Sequence, residues 1–248
     1  MNVRERFQAV MGFRPYDRLP LLEWAAWWDQ TIARWHGEGL PRTIQDRYDL
    51  YRHFGLDLYR QDWVQPVRSG CPAPASHGAG LVASLDDYER LRPYLYPEHA
   101  IADEVWQCWA EEQRRGEAVL WFTLEGFFWF PRRLLGIERH LYAFYDQPEL
   151  IHRINTDLSE WMLRVIARIG TICAPDFMTF AEDLSYNHGP MLSQELFAEF
   201  LRPYYDRVVP ALRQLGTMPI VDSDGDVTVP AQWFAAAGID GILPLERQ

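Results

Sequence analysis

A short apolar run late in the sequence is followed by three aspartates at alternate positions, Asp222, Asp224 and Asp226. Their spacing matches the first ligands of an EF-hand calcium loop, which also needs Gly at its sixth position and Glu at its twelfth. Those two positions hold Val227 and Trp233, so the sequence excludes this loop. The aspartates then form either a site or a polar turn that caps the next helix. We expect Asp222 and Asp224 to act in a site and Asp226 to be a cap.

Two adjacent acids, Glu182 and Asp183, end another apolar run. Neighbouring residues of a strand point to opposite faces, so only one of the two should face a site. Tyr186 and His188 follow closely and can donate hydrogen bonds near the same place. Carboxylates that crowd together raise each other's pKa, so one of them can stay protonated and act as a general acid. We expect Glu182 or Asp183 to handle protons, and Tyr186 and His188 to contact the substrate.

Three further residues are candidates for substrate contacts. Glu125 ends the apolar part of "LEGFFWFPRR", where it forms either a structural ion pair with Arg132 or a contact that orients substrate. Trp27 follows the first apolar run, where it either packs in the core or forms the wall of a pocket for a flat ligand. Glu246 ends the last apolar run.

The composition excludes several classes of chemistry. All 24 basic residues are arginine, so Schiff-base aldolases, pyridoxal-phosphate enzymes and Walker A phosphate loops are excluded, because each needs a lysine. The formal net charge of −11 disfavours nucleic acid and membrane as partners. The cysteines are scattered and the histidines form no H-E-x-x-H pattern, so no disulfide framework or zinc motif is expected. Without a signal peptide or an apolar span, we expect a cytoplasmic protein.

The elements that must position these acids repeat along the chain. A glycine ends a helical stretch, a short apolar run follows, and an acid stands at or near its end. Such runs without polar alternation suit parallel strands that are buried on both faces. The clearest helices between them are "QPELIHRINTDLSEWMLRVIARIG" and "SQELFAEFLRPYYDRVVPALRQLG". The acids at the ends of the runs are Glu23, Asp62, Glu125, Glu182 with Asp183, the Asp222 group and Glu246.

This alternation predicts an α/β fold with a parallel sheet. Strands that each end in an acid favour a TIM (β/α)8-type barrel, whose site lies at the carboxyl ends of the strands. No G-x-G-x-x-G follows the first strand, which argues against a dinucleotide-binding sheet. Only about six βα units are found where a full barrel has eight. We therefore expect a single barrel domain over residues 1–248 that is truncated in its C-terminal part, or a barrel that a partner closes.

Four segments are similar to the uroporphyrinogen decarboxylase-like superfamily, in order along nearly the whole chain. They are "RERFQAVMGFRPYDRLPLLEW", "EGFFWFPRRLLGIERHLYAFYDQPELIHRI", "FAEDLSYNHGPMLSQELFAEFLRPYY" and "DSDGDVTVPAQWFAAAGIDGILPLE". The resemblance implies a TIM barrel that lacks about 100 C-terminal residues, close to two βα units. The family includes tetrapyrrole decarboxylases, and methyltransferases that move a methyl group between a corrinoid and a thiol or related acceptor.

The chain departs from both branches of that family. The decarboxylases carry an arginine-rich loop after the first strand, and this chain has "EWAAWWDQ" there, without arginine. The zinc thiol-methyltransferases carry His-x-Cys where this chain has Asp222 and Asp224. Two carboxylates suit a harder divalent metal, or no metal, better than a thiol-activating zinc.

The resemblance implies an enzyme, for which we favour methyl transfer between a methyl-corrinoid (cobalamin) and a small acceptor. Asp222 and Asp224 would contact a metal or the acceptor, while Glu182 or Asp183 would handle protons. A small-molecule substrate and a corrinoid protein are the expected partners. The alternatives are decarboxylation of a uroporphyrinogen-type tetrapyrrole and an inactive truncated fragment.

Overall fold

The computed structural model describes residues 1–246, which form a mixed α/β protein. The chain divides into two compact units. The first comprises Met1–Arg60 and Gln107–Leu120, and the second comprises Gln61–Trp106 and the chain from Trp121 onward. Within residues 1–246, no helix combines the length and the apolarity needed to cross a membrane.

The largest sheet contains five strands in the order β1-β2-β3-β6-β7. The β2-β3, β3-β6 and β6-β7 pairs are parallel. Every residue of β2 and β3 is buried, as expected for parallel strands that are covered on both faces. A separate antiparallel hairpin is formed by β4 and β5. The strands are β1 (Leu58–Trp63), β2 (Ala118–Glu125), β3 (Phe177–Ala181), β4 (Ser185–Tyr186), β5 (Gly189–Pro190), β6 (Met218–Asp222) and β7 (Gly241–Leu243).

Helices connect the strands of this sheet. The two helices predicted most clearly are confirmed, as α8 and as the pair α9 and α10. Serines cap two of these helices: Ser193 Oγ accepts a hydrogen bond from Leu196 N at 3.3 Å, and Ser84 Oγ accepts one from Asp87 N at 3.2 Å. The helices are α1 (Val3–Met11), α2 (Asp29–Glu38), α3 (Arg47–His53), α4 (Leu85–Leu91), the 3-10 turn Arg92–Tyr94, α5 (Asp103–Arg114), α6 (Trp129–Leu135), α7 (Ile137–Asp146), α8 (Pro148–Gly170), α9 (Gln194–Phe200), α10 (Arg202–Leu215) and α11 (Pro230–Ala236).

Five of the six predicted strands exist, and the strand predicted for "RLPLLEW" is wrong. Its segment lies in the first unit, where Asp57 occupies both backbone groups of Leu21. Leu21 N donates to Asp57 Oδ2 at 2.9 Å, and Leu21 O accepts from Asp57 N at 2.6 Å. Pro20 also lacks the N–H group that a sheet ladder needs. The acid at the end of this segment, Glu23, therefore ends no strand.

The strand register places three residues side by side at the carboxyl end of the sheet. Glu125 pairs with Ala181, and Ala181 pairs with Asp222. Paired residues of parallel strands lie on the same face, so the two acids share a face with only the methyl group of Ala181 between them. One level below, the hydroxyls of Thr123 and Thr179 lie 2.7 Å apart.

The opposite face of the sheet packs against the helices. The ring of Phe180 meets the ring of Tyr205 in α10, with centroids 5.0 Å apart. Phe127, just after β2, contacts the same tyrosine at 5.1 Å. The sheet therefore has a helix-covered face and a second face that carries Glu125 and Asp222. The described residues contain no closed barrel, and the single domain over residues 1–248 stays a prediction.

Candidate functional site

Acidic side chains gather at the carboxyl ends of the strands in the second unit. The loop after β6 joins them, because Asp224 N donates to Asp183 Oδ1 at 3.4 Å and Gly225 N donates to Glu246 Oε2 at 2.7 Å. We call this group the acid cluster. Its members are Glu125, Asp183, Asp222, Asp224 and Glu246.

Asp222 is the member best suited to proton transfer. Its side chain ends β6 and is half-buried. Burial raises its pKa, the charges of Asp183 and Asp224 raise it further, and the result is about 7. At neutral pH both protonation states are therefore populated, which is the condition for an efficient general acid or base.

Asp183 lies close to both ends of the cluster. Its charge raises the pKa of Glu125 and that of Asp222. Its backbone has a φ of +41°, which is uncommon for a residue with a side chain. The N–H groups of Glu182 and Asp183 both point at Asp222 O, at 2.8 and 3.3 Å. The chain bends here, and Asp183 joins the cluster at the end of the strand.

Asp224 and Glu246 form the outer part of the cluster. Both are exposed. Burial raises the pKa of Asp224 first, and the charges of Asp183 and Glu246 add to the effect. Gly225, between the two aspartates of the loop, has a φ of +81°, and a Cβ there would lie 2.7 Å from the backbone of Tyr186. This position therefore needs a glycine.

Glu125 is the buried member of the cluster, with 2% of its surface exposed. Its Oε1 accepts a hydrogen bond from Arg133 Nη1, and its Oε2 has no partner. Burial raises its pKa, Arg133 opposes the rise, and Asp183 adds to it. The prediction that Arg132 pairs with Glu125 is wrong. Arg132 instead lies over the ring of Trp129, with 5.0 Å from its guanidinium carbon to the ring centroid. Successive residues of a helix point about 100° apart, so α6 presents only one of the two arginines to Glu125.

Glu182 lies outside the acid cluster, on the helix side of the sheet. It is fully buried, and its carboxylate binds the backbone at the start of α6. Phe127 N donates to Oε1 at 2.8 Å, Phe128 N donates to Oε2 at 2.7 Å, and Trp129 N lies 3.3 Å from Oε2. Tyr205 Oη also donates to Oε1. Burial raises the pKa of Glu182 to about 7, although these donors favour the charged form. This carboxylate holds α6 in place.

Gly126 makes the approach of Glu182 possible. A Cβ at this position would lie 2.2 Å from Glu182 Cδ, a distance that no side chain can adopt. The glycine directly after the acid in "LEGFF" was the sequence signal for this contact. Sequence reasoning missed three contributors: Gly126, Tyr205 and Arg133.

The remaining predicted site residues lie in two places. Tyr186 and His188 are exposed on the β4–β5 hairpin, with ring centroids 5.7 Å apart. Tyr186 O accepts a hydrogen bond from Asp226 N at 2.9 Å, so the hairpin is held against the loop that carries Asp224. Asp226 itself caps a turn, since its Oδ1 accepts from Thr228 N at 2.9 Å. The prediction that Asp226 caps the next helix is wrong, because Val229 directly precedes α11 and no side chain caps that helix.

Trp27 belongs to the first unit, where it packs in an aromatic group. Its ring makes edge contacts with those of Trp35 and Tyr51, each at a centroid distance of 5.4 Å, and with Phe54 at 5.9 Å. This placement agrees with the packing interpretation of the residue. Its role as a wall for a flat ligand stays a prediction.

The donor set of the acid cluster is made of carboxylate oxygens. Such donors fit Mg²⁺, Mn²⁺ or Ca²⁺ better than zinc. Among residues 1–246, no three His, Cys, Asp or Glu side chains converge into a metal-binding group. The assignment of Asp222 and Asp224 as metal ligands stays a prediction.

The described chain is thus an α/β protein with a parallel sheet and an acid cluster at the carboxyl end of that sheet. No protein-family model matches the sequence, and no curated protein matches it significantly.

Proposed function

We propose that the chain is a uroporphyrinogen decarboxylase-like enzyme of the (β/α)8-barrel type that transfers a methyl group between a methyl-corrinoid and a small acceptor at the acid cluster. The observation that carries this proposal is Asp222. It is a half-buried carboxylate with a pKa of about 7, at the carboxyl end of a parallel strand and beside two further aspartates.

The strand order supports the barrel. The sheet runs β1-β2-β3-β6-β7, so its strands follow one another in chain order apart from the small hairpin. In a barrel, neighbouring strands follow the chain in this way, and the site lies at their carboxyl ends. In a doubly wound sheet, the order reverses at a switch point, and this sheet has no such reversal.

The chemistry proposed for the cluster is proton transfer at the acceptor. A bound methyl-corrinoid would supply the methyl group. The atom of the acceptor that takes the methyl group must lose a proton, and the ionised carboxylate of Asp222 would accept that proton. Because its pKa is about 7, Asp222 can also return the proton to solvent between turnovers. Asp183 and Asp224 would favour protonation of Asp222, since their charges raise its pKa.

The charge of the site favours methyl transfer over tetrapyrrole decarboxylation. The acid cluster has five carboxyl groups. Among the described residues, Arg133 is the arginine that pairs with one of them, Glu125. A uroporphyrinogen-type substrate carries many carboxylates, and a site that binds it needs several arginines. An acidic site would repel such a substrate.

The test is an anaerobic assay of the purified protein with methylcobalamin and a panel of thiol and amine acceptors, followed by the cobalamin spectrum. We expect Asp222→Asn to reduce the rate by roughly 10²–10⁴-fold, the usual contribution of a general acid–base group. Asp226→Asn is the matched control, since it removes the same charge from the same loop outside the cluster. It should keep a rate close to that of the parent.

Three outcomes would count against the proposal. The first is that the protein neither binds methylcobalamin nor transfers its methyl group. The second is that Asp222→Asn and Asp226→Asn retain equal activity. The third is turnover of uroporphyrinogen in a parallel assay, which would favour the decarboxylase.

A further inference from the structure

A cavity of about 570 Å³ lies beside the loop that follows β1. Its volume is within the range of about 300–1,000 Å³ that is usual for small-molecule sites. One wall is the end of β1 with the loop after it, and the other is the segment 97–100 before α5. We call this cavity the β1 pocket. Its first wall includes Trp63, Gln65, Arg68 and Ser69, and its second wall includes Glu98.

Hydrogen bonds to the backbone hold the two walls of the β1 pocket in place. Tyr96 N, just before the second wall, donates to Pro66 O of the first wall at 2.7 Å. Trp161 of α8 fixes the second wall, because its Nε1 donates to Pro97 O at 2.9 Å. The pocket is therefore formed in the absence of a ligand, and binding need not order these segments.

The β1 pocket lies at the same end of the sheet as the acid cluster. Gln65 follows the last residue of β1 by two positions, and Glu125 is the last residue of the neighbouring strand β2. Arg133 connects the two, because its Nη1 donates to Gln65 Oε1 at 3.2 Å and also to Glu125 Oε1. The end of the sheet that carries the acid cluster is the usual place for ligands in parallel α/β folds.

The first wall offers hydrogen-bond donors that no group of residues 1–246 takes up. Arg68 is exposed and has no ion pair there, whereas most arginines of the chain pair with an acid. Gln65 presents its Oε1 to Arg133, so its amide NH₂ group keeps two N–H donors for a ligand. The indole N–H of Trp63 and the hydroxyl of Ser69 also lack a partner within this part of the chain.

These donors favour an anion, and the walls indicate which kind. An arginine without a counter-ion binds a carboxylate through two parallel N–H···O bonds. Glu98 lines the opposite wall, and its charge disfavours a dianion such as phosphate more than a singly charged carboxylate. Trp63, with 46% of its surface exposed, offers a flat apolar face to the rest of the ligand. The pocket therefore fits a small, flat organic acid.

We propose that the β1 pocket binds a small aromatic carboxylic acid as its anion. The carboxylate accepts hydrogen bonds from the guanidinium of Arg68 and from the amide of Gln65, and the ring packs on Trp63. This inference goes beyond the proposed function, because it assigns a second site and does not depend on methyl transfer. Since Gln65 also binds Arg133, the ligand lies one contact away from the arginine that holds Glu125.

The test is a titration of the purified protein at about pH 7.5, where a carboxylic acid is ionised, followed by the tryptophan indole signals in NMR. Trp63→Phe identifies the signal of Trp63. The probes are benzoate, benzamide, benzylammonium and phosphate. Benzamide has the ring and nearly the shape of benzoate without its charge, and benzylammonium has the opposite charge. We expect benzoate to shift the Trp63 signal and to bind at least about tenfold more tightly than each other probe.

Two variants locate the site. Arg68→Met keeps the length of the side chain and removes the guanidinium, and should weaken benzoate binding at least about tenfold. Ser69→Leu narrows the pocket without changing any charge, and should also weaken binding. Arg139→Met is the matched control, since it makes the same change at an exposed arginine of α7 outside the pocket, and it should bind benzoate as the parent does. Circular dichroism confirms that each variant is folded.

Four results would overturn the inference. The first is that benzoate leaves the Trp63 signal unchanged. The second is equal affinity for benzamide, because packing of the ring alone would then explain binding. The third is that Arg68→Met binds benzoate as tightly as Arg139→Met does. The fourth is tighter binding of phosphate, which would indicate a site for a dianion, or of benzylammonium, which would indicate a cation held by Glu98.

Discussion

The assignment of Glu182 to structure leads to a prediction for Glu182→Gln. The carboxylate accepts hydrogen bonds from three backbone N–H groups and one tyrosine hydroxyl, shared between its two oxygens. Glutamine keeps only one acceptor oxygen, because the second is replaced by an NH₂ group that donates. Two of the four donors then face another donor. We expect the start of α6 to loosen and the protein to become less stable.

The size of the effect follows from these contacts. A hydrogen bond to a charged group contributes about 1.5–3 kcal/mol, so two lost bonds cost about 3–6 kcal/mol. The change also removes the cost of burying a charge. This cost is large here, because Glu182 is fully buried. The free energy of unfolding should therefore fall by about 2–4 kcal/mol. Tyr205→Phe removes a single donor and should cost about 1–2 kcal/mol.

Urea unfolding at about pH 8, where Glu182 with its pKa of about 7 is ionised, measures both changes through tryptophan fluorescence. Glu199→Gln is the matched control, since it makes the same chemical change on the exposed surface of α9. It should alter stability by less than about 0.5 kcal/mol. The reasoning is refuted if Glu182→Gln is as stable as this control. If Glu182→Gln keeps its stability but loses methyl-transfer activity, Glu182 is a catalytic group, as the sequence alone suggested.

Three further predictions concern other groups. The rate of methyl transfer should rise with pH and level off above about pH 7, because Asp222 must be ionised to accept a proton, and Asp222→Asn should remove this dependence. His140 is fully buried with both ring nitrogens unpartnered, and its pKa is lowered to about 3, by burial first and then by the charge of Arg132. In the unfolded chain its pKa is about 6.5, so the protein should lose stability as pH falls below that value, by about 2 kcal/mol between pH 6.5 and 5. Urea unfolding should show this loss for the parent protein and not for His140→Phe. Gly126→Ala should destabilise the protein in thermal unfolding far more than Gly241→Ala, because the new Cβ would lie 2.2 Å from Glu182 Cδ in the first case and 3.7 Å from its nearest neighbour in the second; equal effects would contradict the contact.

Much of the sheet could be predicted from the sequence, because its signals are local. Apolar runs ended by acids predicted all five strands of the sheet, and the two clearest helical segments contain α8 and the pair α9 and α10. The false strand at residues 18–24 had a similar apolar pattern. No strand forms there because Leu21 bonds instead to Asp57, which lies far along the chain.

The candidate site was predicted only in part, because local patterns do not give the direction of each side chain. The rule that adjacent residues alternate between faces predicted that one acid of Glu182 and Asp183 would face the site, but not which one. Arg132 was predicted as the partner of Glu125, but the orientation of α6 presents Arg133 instead, and the sequence does not reveal that orientation. Closure of the barrel depends on pairing between distant strands, which no short segment encodes.

The alternation of faces also explains why the cluster depends on Glu182. Because Ala181 faces the cluster, Glu182 faces the helices, where it binds the first turn of α6. That helix carries Arg133, which holds one oxygen of Glu125. A change at Glu182 is therefore transmitted to the cluster through a helix on the opposite side of the sheet. For this reason Glu182→Gln should also reduce the rate of methyl transfer, even though Glu182 lies outside the acid cluster.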